Sequence, residues 1–166
     1  MYEHPDKAPK IDIKGLQLVR RDSPKIVKRI SHGMLEILLY QRSFEKALVY
    51  VQEQILDMLN GKVPFEEYIM SKSLRSNYKN TNLPHLIVSK KRNQRGGTPF
   101  HSGERVPFVY VQSDTDMDLG ISQRAEDAEY AKEHNIPIDV LYYIKNQVIT
   151  PLVTLLQLYY KQAESD

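Results

Sequence analysis

The chain has no cysteine. That excludes disulfides, thiol nucleophiles and thiolate zinc sites, and it suits a reducing compartment. No apolar run approaches the ~18–20 residues that a membrane-spanning helix needs, so no membrane segment is expected. The first ten residues, Met1 to Lys10, are polar and charged, unlike a secretory signal. No glycine-rich phosphate loop occurs, which argues against a P-loop nucleotide site. The histidines (His4, His32, His85, His101, His134) are scattered without metal-ligand spacing, and no Ser/His/Asp constellation stands out. There is neither an internal repeat nor a low-complexity tract. What remains is ordinary globular material: 166 residues, 41% hydrophobic and 27% charged. That is about one domain, and long enough to remove roughly 68–70% of the unfolded surface from water.

The net charge of +2 conceals segregation. Residues 1–30 carry eight basic side chains (Lys7, Lys10, Lys14, Arg20, Arg21, Lys25, Lys28, Arg29) against four acids. Residues 113–139 reverse this, with eight acids against Arg124 and Lys132. A basic and an acidic face on one small domain point to a directional electrostatic partner. The alternative is solvated surface.

Periodicity predicts a mainly helical chain with a few short strands, an α+β class. Lys10-Ile11-Asp12-Ile13-Lys14 alternates as an extended piece does. Ser23-Pro24 reads as a helix start, serine at the cap and proline in the first turn. Ile26, Ile30, Met34, Ile37 and Leu38 then recur at helical spacing. A second stripe, Phe44, Leu48, Val51, Ile55 and Met58, follows Ser43 and closes at Asn60-Gly61. The two stripes predict an antiparallel helical pair. Further along, Glu67–Ser71 reads as a strand, Ser76–Pro84 as turns, His85–Arg95 as a helix and Val106–Val111 as a strand. Ala125–His134 reads as a short helix. Asp139 opens a last helical region with Leu141, Ile144, Val148, Leu152 and Leu155 on one side, which Pro151 should kink or divide.

Three constellations carry possible chemistry. Asp114, Asp116 and Asp118 alternate as hard-cation ligands do. As a calcium loop the run is out of register, since counting from Asp114 the required glycine falls on Leu119 and the closing glutamate on Ala125. Arg20 and Arg21 precede the helix start at Ser23-Pro24, with Lys25 and Lys28 in its first turns. Free N–H groups, dipole and arginines together make an anion site. Lys90, Lys91, Arg92 and Arg95 form a second basic cluster ahead of a Gly-Gly loop, and Arg105 adds a further charge. Phosphate backbones are bound by such groups; a solvated or nuclear-localisation-like patch has the same composition.

The order of several blocks resembles family B DNA polymerases of the delta-like and large DNA virus kinds. They are Asp12-Ile13-Lys14-Gly15-Leu16, Val19-Arg20-Arg21-Asp22-Ser23, Ile69-Met70-Ser71-Lys72-Ser73-Leu74 and Pro84-His85. Next comes Gly103-Glu104-Arg105-Val106-Pro107-Phe108-Val109, where the family usually has Gly-Asp-Arg-Val-Pro-Tyr-Val. Ala125-Glu126-Asp127, Ile136-Pro137-Ile138-Asp139, Tyr142-Tyr143, Gln147 and Pro151-Leu152 complete the series. The blocks span nearly the whole chain, and their joint order is the specific part.

The resemblance implies that residues 1–20 end the palm at its junction with the thumb and that 21–166 form the thumb, a largely helical domain. The thumb holds primer–template duplex DNA by sugar–phosphate and minor-groove contacts. It implies DNA contacts for Lys14, Arg20, Arg21 and Lys25, for Lys90, Lys91, Arg92 and Arg95 on a basic helix facing the duplex, and for Arg105. Asp22 is expected to anchor structure by pairing with a basic neighbour. Catalysis would be two-metal nucleotidyl transfer with Mg²⁺ in the palm, outside this chain, and no cofactor is expected within it. The family's Tyr-Gly-Asp-Thr-Asp-Ser lies upstream of the Lys-Gly block, so Asp114 and Asp116 are not carried over as metal ligands. The lysine-rich motif, fingers, exonuclease domain and cysteine-rich module are also expected elsewhere. Partners would be the remaining polymerase domains and possibly a processivity factor, in the nucleus or at a viral replication site. Two other readings are a metal-dependent enzyme built on Asp114, Asp116 and Asp118, and a helical adaptor whose acidic 113–139 face binds a basic protein.

Overall fold

A computed structural model of the chain describes residues 22–113 and 120–164. The extended piece at Lys10–Lys14 and the Asp114–Asp118 run lie outside the described residues. The described chain divides into two compact units, one of residues 26–63 and 141–164, the other of 22–25 and 64–140. The α+β expectation holds: helices dominate, with one small sheet.

In the first unit, α1 (Lys25–Glu36) starts directly after Ser23-Pro24 and buries Ile26, Val27, Ile30 and Met34. A π-helical turn, Ile37–Gln41, continues it and buries Leu38. Arg42 then reverses the chain with φ 49°. Ser43 caps α2 (Phe44–Leu59), its backbone extended and its side chain accepting the Lys46 N–H at 3.2 Å. At the far end Gly61 takes φ +70°. Its N–H donates to the Met58 carbonyl (3.2 Å), and Lys62 N–H reaches the Asp57 carbonyl (2.9 Å). The left-handed cap expected at Asn60-Gly61 is present, with Schellman-type bonds.

The two helices run antiparallel, as the stripes predicted. Arg29 Nη1 donates to Gln54 Oε1 at 2.9 Å, and four residues further along α1, Gly33 faces Tyr50, four residues back along α2. A Cβ at Gly33 would lie 2.8 Å from Tyr50 Cε1. Glycine therefore costs helix propensity here but lets the ring cross the helix.

The last helical region is α5 (Val140–Tyr142), a π-helical stretch (Tyr143–Ile149) and α6 (Thr150–Glu164). Of the expected apolar line, Ile144, Val148 and Leu155 are buried, but Leu141 is 69% exposed and Tyr143 is fully buried instead. The i→i+5 winding adds a residue to the turn and rotates the face that a 3.6 period predicts. Pro151 stands at the change of winding: Thr150 just before it bonds Lys145 O through its N–H and, at 3.0 Å, through Oγ1.

The second unit is built on an antiparallel sheet in the order β1-β2-β3. Its strands are β1 (Met70–Ser73), β2 (Arg105–Tyr110) and β3 (Ala125–Asp127). Met70 pairs with Phe108 and Ser73 with Arg105, while Phe108 pairs with Asp127 and Tyr110 with Ala125. The β1 expectation was displaced: Phe65–Tyr68 is a 3₁₀ turn and the strand begins at Met70. The helix expected over Ala125–His134 is also corrected. Its first three residues are β3, and α4 runs only over Ala128–Glu133. Pairing with β2 overrides local propensity there, and Asp127 caps α4 by accepting the Glu129 N–H at 3.1 Å. Helix α3 (Pro84–Gln94) has proline in its first turn and buries His85, Ile87 and Val88. With Val106, Phe108, Val109 and Ala125, all at 0% exposure, these make the core of the unit.

Candidate nucleic-acid interface

The basic cluster of α3 is split by helix geometry. At about 100° per residue, Lys91, Arg92 and Arg95 share one face, and Lys90 points away from it. Lys90 is exposed, with no ion pair among the described residues. The other three turn toward β3 and α4. Lys91 Nζ donates to the carbonyls of Gln123 (3.0 Å) and Ala125 (2.8 Å) and lies 3.8 Å from Glu126. Arg92 Nε donates to Asp127 Oδ2 at 2.5 Å and Nη2 to Glu129 at 3.3 Å. Arg95 grips Glu126 with two parallel bonds, 2.6 and 3.0 Å. Its guanidinium also stacks 3.5 Å from the Tyr130 ring centroid, and Arg92 sits 4.0 Å over Phe100.

The cause is burial of the acids. Glu126 is 5% and Asp127 3% exposed, and a carboxylate withdrawn from water to that extent needs charged and hydrogen-bonded partners. The cations feel the same environment. Burial pulls the Lys91 ammonium below its usual range, with Glu126 opposing. The hydrogen bonds Arg95 donates to Glu126 push its guanidinium up. A cavity of about 330 Å³ beside Arg95, Gly97 and Tyr130 has Asp127, Glu129 and Glu133 in its wall. Its cations are balanced, so it offers no anion site.

Four of the described acids of the 113–139 stretch thus have their electrostatic partners inside the same unit. Glu126, Asp127 and Glu129 pair with α3, and Asp139 Oδ2 accepts from Arg124 Nη1 at 2.9 Å. Lys132 pairs with Glu66, holding the Glu66 carboxyl below its ordinary range through that hydrogen bond. The described acids do not form the open docking face that the adaptor reading requires.

The remaining predicted residues are placed as follows. Lys14, Arg20 and Arg21 lie outside the described residues. Lys25, the first residue of α1, is exposed. Asp22 pairs with Lys72 at 3.6 Å, as expected of an anchor. Arg105 is exposed and seated on Ser71, Nε donating to Oγ at 3.0 Å and Nη2 to the carbonyl at 2.9 Å. Both acceptors are neutral, so Arg105 is oriented without losing its charge. Two exposed cations that periodicity did not single out, Arg75 and Lys79, lie on the segment after β1. Their only signal in the sequence was a basic side chain, that of Lys79 within the Ser76–Pro84 run read as turns and that of Arg75 just before it.

Among the described residues no group of three or more His, Asp or Glu side chains is placed to hold a metal ion. No helix among them is long and apolar enough to cross a membrane.

Residues 1–159 match the family model for DNA polymerase family B. The chain belongs to that family. It is 40% identical over 156 residues to a DNA polymerase of Paramecium bursaria Chlorella virus NY2A, covering 94% of this chain and 17% of the viral protein. It is 30% identical over 155 residues to the DNA polymerase delta catalytic subunit of Dictyostelium discoideum, covering 93% of this chain and 14% of that subunit. The fold is similar to the family B DNA polymerase of the archaeon Pyrobaculum calidifontis, with a TM-score of 0.66 at 24% identity over 80% of this chain and 18% of that one. The chain therefore spans less than a fifth of the length of these relatives.

Proposed function

We propose that this chain is part of a replicative DNA-directed DNA polymerase, residues 1–20 closing the palm and 21–166 forming the thumb that holds primer–template duplex. The observation that carries this reading is the family membership of nearly the whole chain, joined to exposed cations that form no ion pair with a carboxylate among the described residues. Of the predicted contacts, Lys25, Lys90 and Arg105 are of that kind. With Lys14, Arg20 and Arg21 they would bind backbone phosphates, fixing register without reading sequence, alongside minor-groove contacts. Lys91, Arg92 and Arg95 then serve differently from the direct contacts first expected. They hold α3 on the sheet so that Lys90 is presented. Nucleotidyl transfer would be carried out by Mg²⁺-binding palm carboxylates elsewhere in the polymerase. The polymerase's other domains, and possibly a processivity factor, would be its partners, at a nuclear or viral site of replication.

The test is a salt titration of duplex binding by the full chain. Log K should fall linearly with log[salt], with the same slope for unrelated duplex sequences. Replacing Arg20 and Arg21 by glutamate should weaken binding and flatten that slope. Binding that does not respond to salt overturns the reading.

A further inference from the structure

We infer that His85 is a proton-operated latch: uncharged, it holds residues 75–83 to the end of β1 through the Tyr78 hydroxyl, and on taking a solvent proton at Nδ1 it releases them. The strand β1 lies at one edge of the sheet. Leu74 N–H donates to Glu104 O at 2.8 Å, so by antiparallel alternation the Ser73 carbonyl turns away from β2. The Tyr78 hydroxyl meets it there, donating at 3.1 Å and accepting the Arg75 N–H at 3.0 Å. His85 Nε2 lies 2.9 Å from the same oxygen, its ring edge-on to Tyr78. One oxygen thus ties the segment both to β1 and to the first turn of α3.

A phenol has one proton, and here the Ser73 carbonyl takes it. His85 must therefore donate through Nε2–H, which leaves Nδ1 as the bare nitrogen of a neutral ring. That atom has no hydrogen-bond partner among the described residues, and the residue is 3% exposed. A bare nitrogen is tolerated in such a place. A second N–H carrying full charge is not, since it finds no acceptor among the described residues. An imidazolium must leave the pocket, and the bond to Tyr78 is lost with it. Further along, the segment is held by an exposed bond, Asn82 Oδ1 accepting from Gln123 at 3.2 Å.

The charged surroundings act in the same direction. Burial, and after it the Lys72 charge on β1, keep the imidazole below its ordinary range. Lys72 is itself paired with Asp22 at 3.6 Å. Other charges on the elements around α3 are engaged elsewhere. Arg105 rests on Ser71, and Arg124 pairs with Asp139. Glu126 and Asp127 meet Lys91, Arg92 and Arg95 about two turns further along α3. The segment's own charged side chains, Arg75 and Lys79, are exposed cations and supply no counter-charge. Among the described residues no carboxylate pairs with His85.

The experiment is amide hydrogen exchange of the full chain, read residue by residue by NMR from about pH 7.5 to 4.5 and corrected for the intrinsic rate of each amide. Protection of the Arg75 N–H should fall by up to about tenfold per pH unit below about pH 6.5, as one proton taken up on opening requires, and level off below the folded value. Arg75 should exchange faster than Val106 and Phe108 of β2 at every pH, because the latch opens without the sheet. H85Q, whose amide can donate to Tyr78 at any pH, should abolish the pH dependence. Y78F should leave Arg75 unprotected throughout. Should H85Q fail to fold by circular dichroism, the ring nitrogen shifts of wild-type His85 decide between Nε2–H, as required here, and Nδ1–H. Arg75 protection that ignores pH, that equals the protection of β2, or that keeps its pH dependence in H85Q overturns the inference, as does a ring protonated at Nδ1 alone.

Discussion

Arg95 and Glu126 face each other with both guanidinium Nη atoms on both carboxylate oxygens, at 2.6 and 3.0 Å. Glu126 is almost wholly buried, and its second cation, Lys91, is 3.8 Å away. Arg95→Met should therefore destabilise the chain by about 3 kcal/mol, the lower end of the cost of orphaning a buried charge, because Lys91 stays. Urea denaturation measures it, and a loss below about 1 kcal/mol would mean the pair behaves as a surface pair.

His85 should make stability depend on pH. It is 3% exposed, its Nδ1 has no hydrogen-bond partner among the described residues, and burial, aided by the nearby Lys72 charge, holds its pKa below the ordinary 6.5. The unfolded chain then binds the proton more readily than the folded one. The contribution is complete above about pH 6.5 and is lost as pH falls through the lowered folded value. Urea midpoints followed from pH 7.5 to 4.5 should decline, and His85→Phe should decline less across that window.

Gly61 should not tolerate a side chain. Its φ of +70° is a left-handed cap with open space around it, so conformation and not collision decides the cost. Gly61→Ala should lower stability by about 1–2 kcal/mol. An unchanged thermal midpoint would show that the cap contributes nothing.

Gly33 and Tyr50 should couple. Alanine at position 33 gains helix propensity of about 1 kcal/mol but displaces a ring whose Oη donates to Arg29 O at 3.3 Å. Gly33→Ala should destabilise the wild-type chain and stabilise a Tyr50→Ala background. A double-mutant cycle with no coupling energy would refute the contact.

Local periodicity made much of the fold readable. The α1, α2 and α3 stripes, the Ser43 cap, the Asn60-Gly61 stop and the β2 run all depend on residues within a few positions of one another, as does each family block taken singly. Misreadings fell where distant pairing prevailed. Ala125–Asp127 looks helical until Phe108, Val109 and Tyr110 provide a strand partner. Leu141 sits on an apolar period that π winding rotates out of the core.

The candidate site divides in the same way. Residue types and spacing alone showed a basic α3 and an acidic 113–139 stretch, and the order of the sequence blocks carried the resemblance to family B polymerases. Which cations meet a counter-charge was decided by tertiary structure. Arg95 and Glu126 are 31 residues apart, and Arg92 and Asp127 are 35 apart. Separations of that size are invisible to helix or strand periodicity. Folding buries those acids and so neutralises the inner face of α3, while Arg105, at the start of the central strand, rests on a neutral serine with no ion pair among the described residues.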